Sequence, residues 1–251
     1  MRLPSGVVDV LDLLLSRLAP ASDVAIPPLA LFGALAVGAL LVLVGPVWKV
    51  VRLCVTLVHE LGHAIVGVLV GRRFTGFVVR GDMSGHAVTS GKPTGFGRAL
   101  SVWAGYPAPA ILGAALAFAA SRGWAAPVVF GVGVVLLLVL VRVRSLLTGV
   151  VVVVALASTA ALWWWRDDTV QTTVLIALAV VLVVGAWRHL AAVRADRGSG
   201  SDPAVLAKLT RVPKGFWNTS FALVCLVATV VVVLVLWPDG SSVLDLVPFA
   251  S

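Results

Sequence analysis

The stretch VTLVHELGHAIVGVLVGRR, Val55 to Arg73, is apolar enough to lie in a bilayer, yet it carries His59, Glu60 and His63 near its middle. A charged group at the centre of a membrane helix costs roughly 2.5–3.5 kcal/mol on insertion scales. The rest of the chain makes the placement more pointed. Of its 251 residues, 60% are hydrophobic and only 12% charged, and the mean hydropathy is +1.08. A soluble domain is about half apolar and about a quarter charged. The chain therefore reads as an all-α polytopic membrane protein. Its 11 acids are ten aspartates and one glutamate, and that glutamate is Glu60. A residue type otherwise absent sits where a bilayer tolerates it least.

Outward from this stretch, apolar runs alternate with short polar segments. Pro27–Trp48 is a first run, and the quoted stretch makes a second after Lys49 and Arg52. Residues 71–98 turn polar and glycine-rich, and two short strands around the turn GDMSG predict a β-hairpin over about 76–89. Ala99–Ala120, Pro127–Val141, Leu146–Trp165, Thr169–Trp187 and Phe216–Trp237 follow, which predicts about seven transmembrane helices. Trp48, Trp163–Trp165, Trp187 and Trp237 close runs in the manner of interfacial aromatics. The expected organisation is an N-terminal amphipathic surface segment over 1–26, one transmembrane domain over 27–237 with a loop at 188–215, and a short tail over 238–251. Acids at Asp9 and Asp12 interrupt what would otherwise be the core of a signal peptide. Cys54 and Cys225 lie in apolar runs and imply no disulfide framework.

The net charge of +8 is explained by topology and does not point to nucleic acid. With seven crossings, fifteen of the 19 basic residues fall on the side of the N-terminus, the hairpin, the 142–144 turn and the 188–215 segment. The other side holds Lys49, Arg52, Arg122 and Arg166. The positive-inside rule then predicts a cytoplasmic N-terminus and hairpin and an external C-terminus.

His59-Glu60-Leu61-Gly62-His63 has the pattern H-E-x-x-H. On a helix, residues four apart share a face, so both imidazoles can reach one metal ion. Zinc lowers the pKa of a coordinated water to about 7, and the adjacent glutamate can take its proton. Such an ion also supplies the partner that makes three polar residues tolerable in an apolar helix. Thr56, Gly67 and Gly71 lie on or near the same face, small enough to admit other backbone. The competing reading is a polar contact between helices.

VHELGHAIVGVLVG resembles the zinc-binding helix of the site-2 protease family of intramembrane zinc metalloproteases, and in particular its compact actinobacterial branch. The hairpin resembles the one that follows this helix in the family, and AGYPAPAILG, 104–113, resembles its alanine-glycine-proline motif. The resemblance spans about residues 30–220. It implies Zn²⁺ bound by His59 and His63, Glu60 as the catalytic base, and a third ligand from an aspartate far along the chain. GSGSDPAVLAKLTRVPKGFW resembles the corresponding segment and nominates Asp202. Ser201-Asp202-Pro203 is equally a good helix N-cap with proline at N1, and His86 is an alternative ligand. His189, beside Arg188 at the end of a run, reads as interfacial. The family's usual asparagine in the glycine-proline span is missing, the only asparagine being Asn218.

The resemblance implies a metalloendopeptidase of the bacterial plasma membrane. Its partners would be the lipid bilayer and a membrane-protein substrate with a transmembrane segment. Two alternatives stand beside it. One is a catalytically inactive scaffold of the same fold. The other is a metal transporter, which would need further polar ligands along spans that are almost pure valine, leucine and alanine.

Overall fold

In the computed structural model, the described residues are 12, 15–21, 28–79, 85–196 and 198–237, without the side chains of 29, 30, 50, 77–79 and 85–88. Most of the expected N-terminal surface segment, the C-terminal tail and the hairpin turn with Asp82 lie outside them. So does the side chain of His86.

Among the described residues the chain is helical apart from one hairpin and the short connections between elements. Helices α1 (Pro28–Leu43) and α2 (Gly45–Leu69) lead to strands β1 (Arg73–Val79) and β2 (Gly85–Ser90). Helices α3 (Phe96–Trp103), α4 (Pro107–Ser121), α5 (Ala125–Leu140), α6 (Leu146–Trp164), α7 (Asp168–Ala195), α8 (Asp202–Thr210) and α9 (Lys214–Leu236) follow. This is the all-α polytopic class. Beside the long helices stand two shorter apolar ones, within Leu31–Leu43 and over Ala125–Leu140. Among the described residues, α2, α6, α7 and α9 are long and apolar enough to span a bilayer, and α3 with α4 makes a fifth such unit bent by 60°. The bend falls in AGYPAP, where Pro107 and Pro109 withhold backbone donors from the turn before them.

The first two runs separate only at Val44, whose extended backbone (ψ 113°) sits between two helices, with Pro46 near the start of the second. They follow one another with this one-residue break. Gly38 lies against Ala177 and Val180, and four residues on the Val42 carbonyl accepts from Arg188, so α1 runs parallel to α7. Residues 15–21 accordingly sit at the start of α7. Arg17 donates to the carbonyls of Trp163 and Trp164, Arg166 donates to that of Ala19 at 3.0 Å, and the Ala21 amide donates to Gly123 at 2.9 Å. This corrects the expected placement of residues 15–21 on the hairpin side. Arg17 joins Arg122 and Arg166 at the far end of the bundle. Arg142, Arg144, Arg194, Lys208, Arg211 and Lys214 remain at the hairpin end, so the charge bias survives the change.

The hairpin is antiparallel, with Phe74 opposite Thr89 and Val78 opposite His86, and is irregular between Phe74 and Gly76. Buried Arg72 pins it by donating to the Lys92 carbonyl at 2.7 Å and to Thr89 Oγ1 at 3.3 Å. Arg142 ties it to the α5–α6 turn through the Phe74 carbonyl, 3.3 Å away.

Lipid tails are as apolar as leucine, so small residues and close packing hold membrane helices together. A Cβ on Gly113 would meet Val183 at 2.8 Å, one on Gly185 would meet Val55 at 2.6 Å, and one on Gly62 would meet the Ala104 carbonyl and Ala108 at 2.6 Å. Polar ties add to this. Trp187 Nε1 donates to Thr229 Oγ1 at 3.0 Å, and buried Gln171 donates to the Leu162 carbonyl at 2.8 Å. Trp187 therefore faces a neighbouring helix, and Trp48 is buried beneath the Arg188 guanidinium, 4.5 Å from its ring centroid. The segment expected as a loop from residue 188 is shorter, because α7 continues helically to Ala195.

Candidate metal centre

α2 carries His59, Glu60 and His63 past the bend between α3 and α4. Gly62 lets the two backbones close, and Ser101 on α3 then reaches His63 twice. Ser101 Oγ donates to the His63 carbonyl at 3.0 Å, and His63 Nδ1 lies 2.8 Å from the Ser101 carbonyl. A carbonyl only accepts, so Nδ1 carries the proton and donates. In the neutral ring this leaves a lone pair on Nε2, the arrangement a metal-binding histidine takes from such a partner.

That nitrogen faces two further ligand atoms. His63 Nε2 is 3.1 Å from His59 Nε2. Asp202 Oδ2 lies 3.1 Å from His63 Nε2 and 3.2 Å from His59 Nε2. Glu60 is buried beside them, and the ligand atoms of His59, Glu60 and His63 all fall within 4.8 Å of one another. Two imidazole nitrogens and a carboxylate oxygen converging at van der Waals distance need positive charge among them, supplied by a proton or a metal ion. Zinc bonds of about 2.0–2.2 Å in a tetrahedron give ligand-to-ligand edges of about 3.3–3.6 Å. The observed triangle meets those edges after opening by a few tenths of an ångström, so the donor set fits zinc.

Asp202 comes from the first turn of α8, far along the chain from the histidines. The structure does not use it as a cap. Ser201 is the N-cap residue and makes no side-chain cap bond, while Asp202 is the first helical residue. The alternative reading of Asp202 as an N-cap is thereby overturned. Burial by itself raises the Asp202 carboxyl, but the facing His63 and His59 outweigh it and hold the group below the usual carboxylate range.

Several residues at the centre were not nominated from the sequence. Gly105, at the bend, lies so close that a Cβ there would clash with His63 Cε1 and Nε2 and sit 2.8 Å from His59 Cε1. Tyr106 puts its ring edge-on to His59, centroids 4.7 Å apart, and stacks on buried Phe221 at 5.0 Å. It is the only tyrosine in the chain, and that singularity, together with its place in AGYP, was the available signal. His189 on α7 also faces the centre, its ring centroid 6.3 Å from that of His59. Among the small residues nominated near the pentad, Gly67 packs toward Ser101 Oγ, a Cβ there meeting it at 3.1 Å, and Thr56 is buried.

A family model described as Peptidase M50B-like matches residues 32–233, a range that includes every residue of this centre. No curated protein and no solved structure matches the chain.

Proposed function

Because this chain belongs to the Peptidase M50B-like family, a family of membrane zinc metallopeptidases, we propose that it hydrolyses peptide bonds in or near transmembrane segments of other membrane proteins. The observation that carries this reading is the convergence of His59 Nε2, His63 Nε2 and Asp202 Oδ2 within 3.1–3.2 Å, with Glu60 beside them. His59, His63 and Asp202 would hold the zinc. When bound, the ion supplies a Lewis acid for the scissile carbonyl and lowers the pKa of water to about 7.

The chain's own residues do the rest. Glu60, buried in α2, accepts the proton of the attacking water and returns it to the leaving amine. Ser101 holds the His63 ring in the tautomer that turns Nε2 toward the ion. Tyr106, wedged between His59 and Phe221, keeps the second ring from rotating. The hairpin is joined to α2 by a turn and lies at the same end as α8, which supports cleavage near that face of the membrane. The basic excess at this end supports a cytoplasmic placement in a bacterial plasma membrane.

The test is zinc content together with cleavage of a reconstituted single-span substrate, comparing wild type with Glu60→Gln. The reading expects zinc in both and cleavage in wild type alone. Zinc without cleavage in wild type, across a panel of single-span substrates, would favour an inactive scaffold of the same fold.

A further inference from the structure

The two histidines of the centre differ in what lies behind them. His63 Nδ1 is satisfied by the Ser101 carbonyl. His59 Nδ1 is buried and has no hydrogen-bond partner among the described residues. A buried ring N–H left unpaired is destabilising, and metal-binding histidines almost always donate their second nitrogen to something. A second buried nitrogen in the same state lies nearby. His189 Nε2, on α7, also has no partner among the described residues. The two rings are 6.3 Å apart between centroids and inclined at 68°.

These distances decide how the two could meet. A ring nitrogen lies roughly 1.2 Å from its centroid, so at this separation no nitrogen of one ring comes closer than about 4 Å to one of the other, beyond the roughly 3.2 Å limit of a direct bond. One water making two bonds of about 2.8 Å bridges gaps up to about 5.5 Å. A buried water needs two or more polar partners and a position that apolar packing does not fill. The two unpartnered imidazole nitrogens supply the partners. The His189 ring is held in place by Trp48, edge-on at a centroid distance of 6.1 Å, and Trp48 is itself clamped by Arg188.

We propose that His189 is the positioning residue of His59, acting through one bridging water that accepts from His59 Nδ1 and donates to His189 Nε2. This fixes the tautomer in which His59 Nε2 carries its lone pair toward His63 and Asp202. The inference rests on the zinc reading above. It assigns to α7 the part that the Ser101 carbonyl plays for His63, so the two ligand histidines are oriented from opposite sides, by α3 and by α7.

The test measures metal affinity, not turnover. Purified His189→Phe and His189→Gln proteins would be titrated with zinc against a chelator, and the visible spectra of their cobalt-substituted forms recorded. Phenylalanine keeps the ring volume and removes the acceptor. Glutamine restores a polar group that can accept from the water. The expected result is a 10–100-fold weaker affinity and an altered cobalt spectrum for His189→Phe, with His189→Gln within a few-fold of wild type and metal-free thermal midpoints alike. Equal affinity in wild type and His189→Phe would overturn the inference while leaving the zinc reading intact. Equal losses in both variants, with lowered metal-free midpoints, would also overturn it, since His189 would then be a packing residue. A wild-type protein that binds no zinc would overturn both.

Discussion

Gly105→Ala is a small change with a large expected effect, because the space for a methyl is already taken. The added Cβ clashes with His63 Cε1 and Nε2 and lies 2.8 Å from His59 Cε1. Non-bonded carbons settle at roughly 3.5–4.0 Å, so relief requires His63 to move by about 1 Å. The backbone itself accepts alanine, since Gly105 is not among the glycines with positive φ. The effect is therefore one of space and not of torsional strain. Overpacking of this kind typically costs about 1–3 kcal/mol. A ring displaced by about 1 Å misplaces the groups it orients, at a cost of about 100-fold in turnover. Gly105→Ala is expected to insert normally, to bind zinc at least tenfold more weakly, and to lose about 100-fold in cleavage of a reconstituted substrate. Gly105→Ala with wild-type zinc affinity and turnover would refute the packing of the bend against the two rings.

Other outcomes follow from the same geometry. Asp202→Asn and Asp202→Ser should keep the fold, because Ser201 and not Asp202 occupies the cap position. Both should lose most bound zinc on metal analysis, since a neutral oxygen is a poor ligand, and full zinc occupancy in Asp202→Asn would remove it from the ligand set. A single cysteine introduced at Ala21 should react with an impermeant reagent from outside the cell. One at Lys92 should react only after lysis, and labelling of both from one side would contradict the placement of residues 15–21 at the end of the bundle away from the hairpin. Arg72→Ala should release the hairpin from the Lys92 carbonyl and raise proteolysis near residue 92, while zinc content stays at the wild-type level.

The pentad was legible because it is local. Four residues of helix bring His59 and His63 to one face whatever the rest of the chain does. Asp202 was legible only through a resemblance of its surrounding segment, since no local rule joins a loop residue to a helix so far before it. The charge bias was legible too, but the path behind it was not. Val44 alone breaks the first helical stretch, and nothing local says whether the chain turns back there or continues. The answer lies in the packing of Gly38 and Val42 against α7. The surroundings of His189 were not legible for a related reason. An arginine and a histidine at the end of an apolar run suggest a membrane interface, yet α7 continues to Ala195 and so sets His189 inside the bundle. Trp187 follows the same logic, finding Thr229 on a neighbouring helix where its position in sequence suggested headgroups.

The central claim is that two imidazoles from one helix and a carboxylate from a distant one share a metal ion. Zinc-edge X-ray absorption of the purified full-length protein, with metal analysis of the same sample, tests it most directly. The expected result is one zinc per chain in a shell of two histidine nitrogens and low-Z oxygen at about 2.0–2.2 Å, without sulfur. A protein purified without zinc that takes up none on titration would contradict the claim, as would a shell of oxygen alone or one containing sulfur.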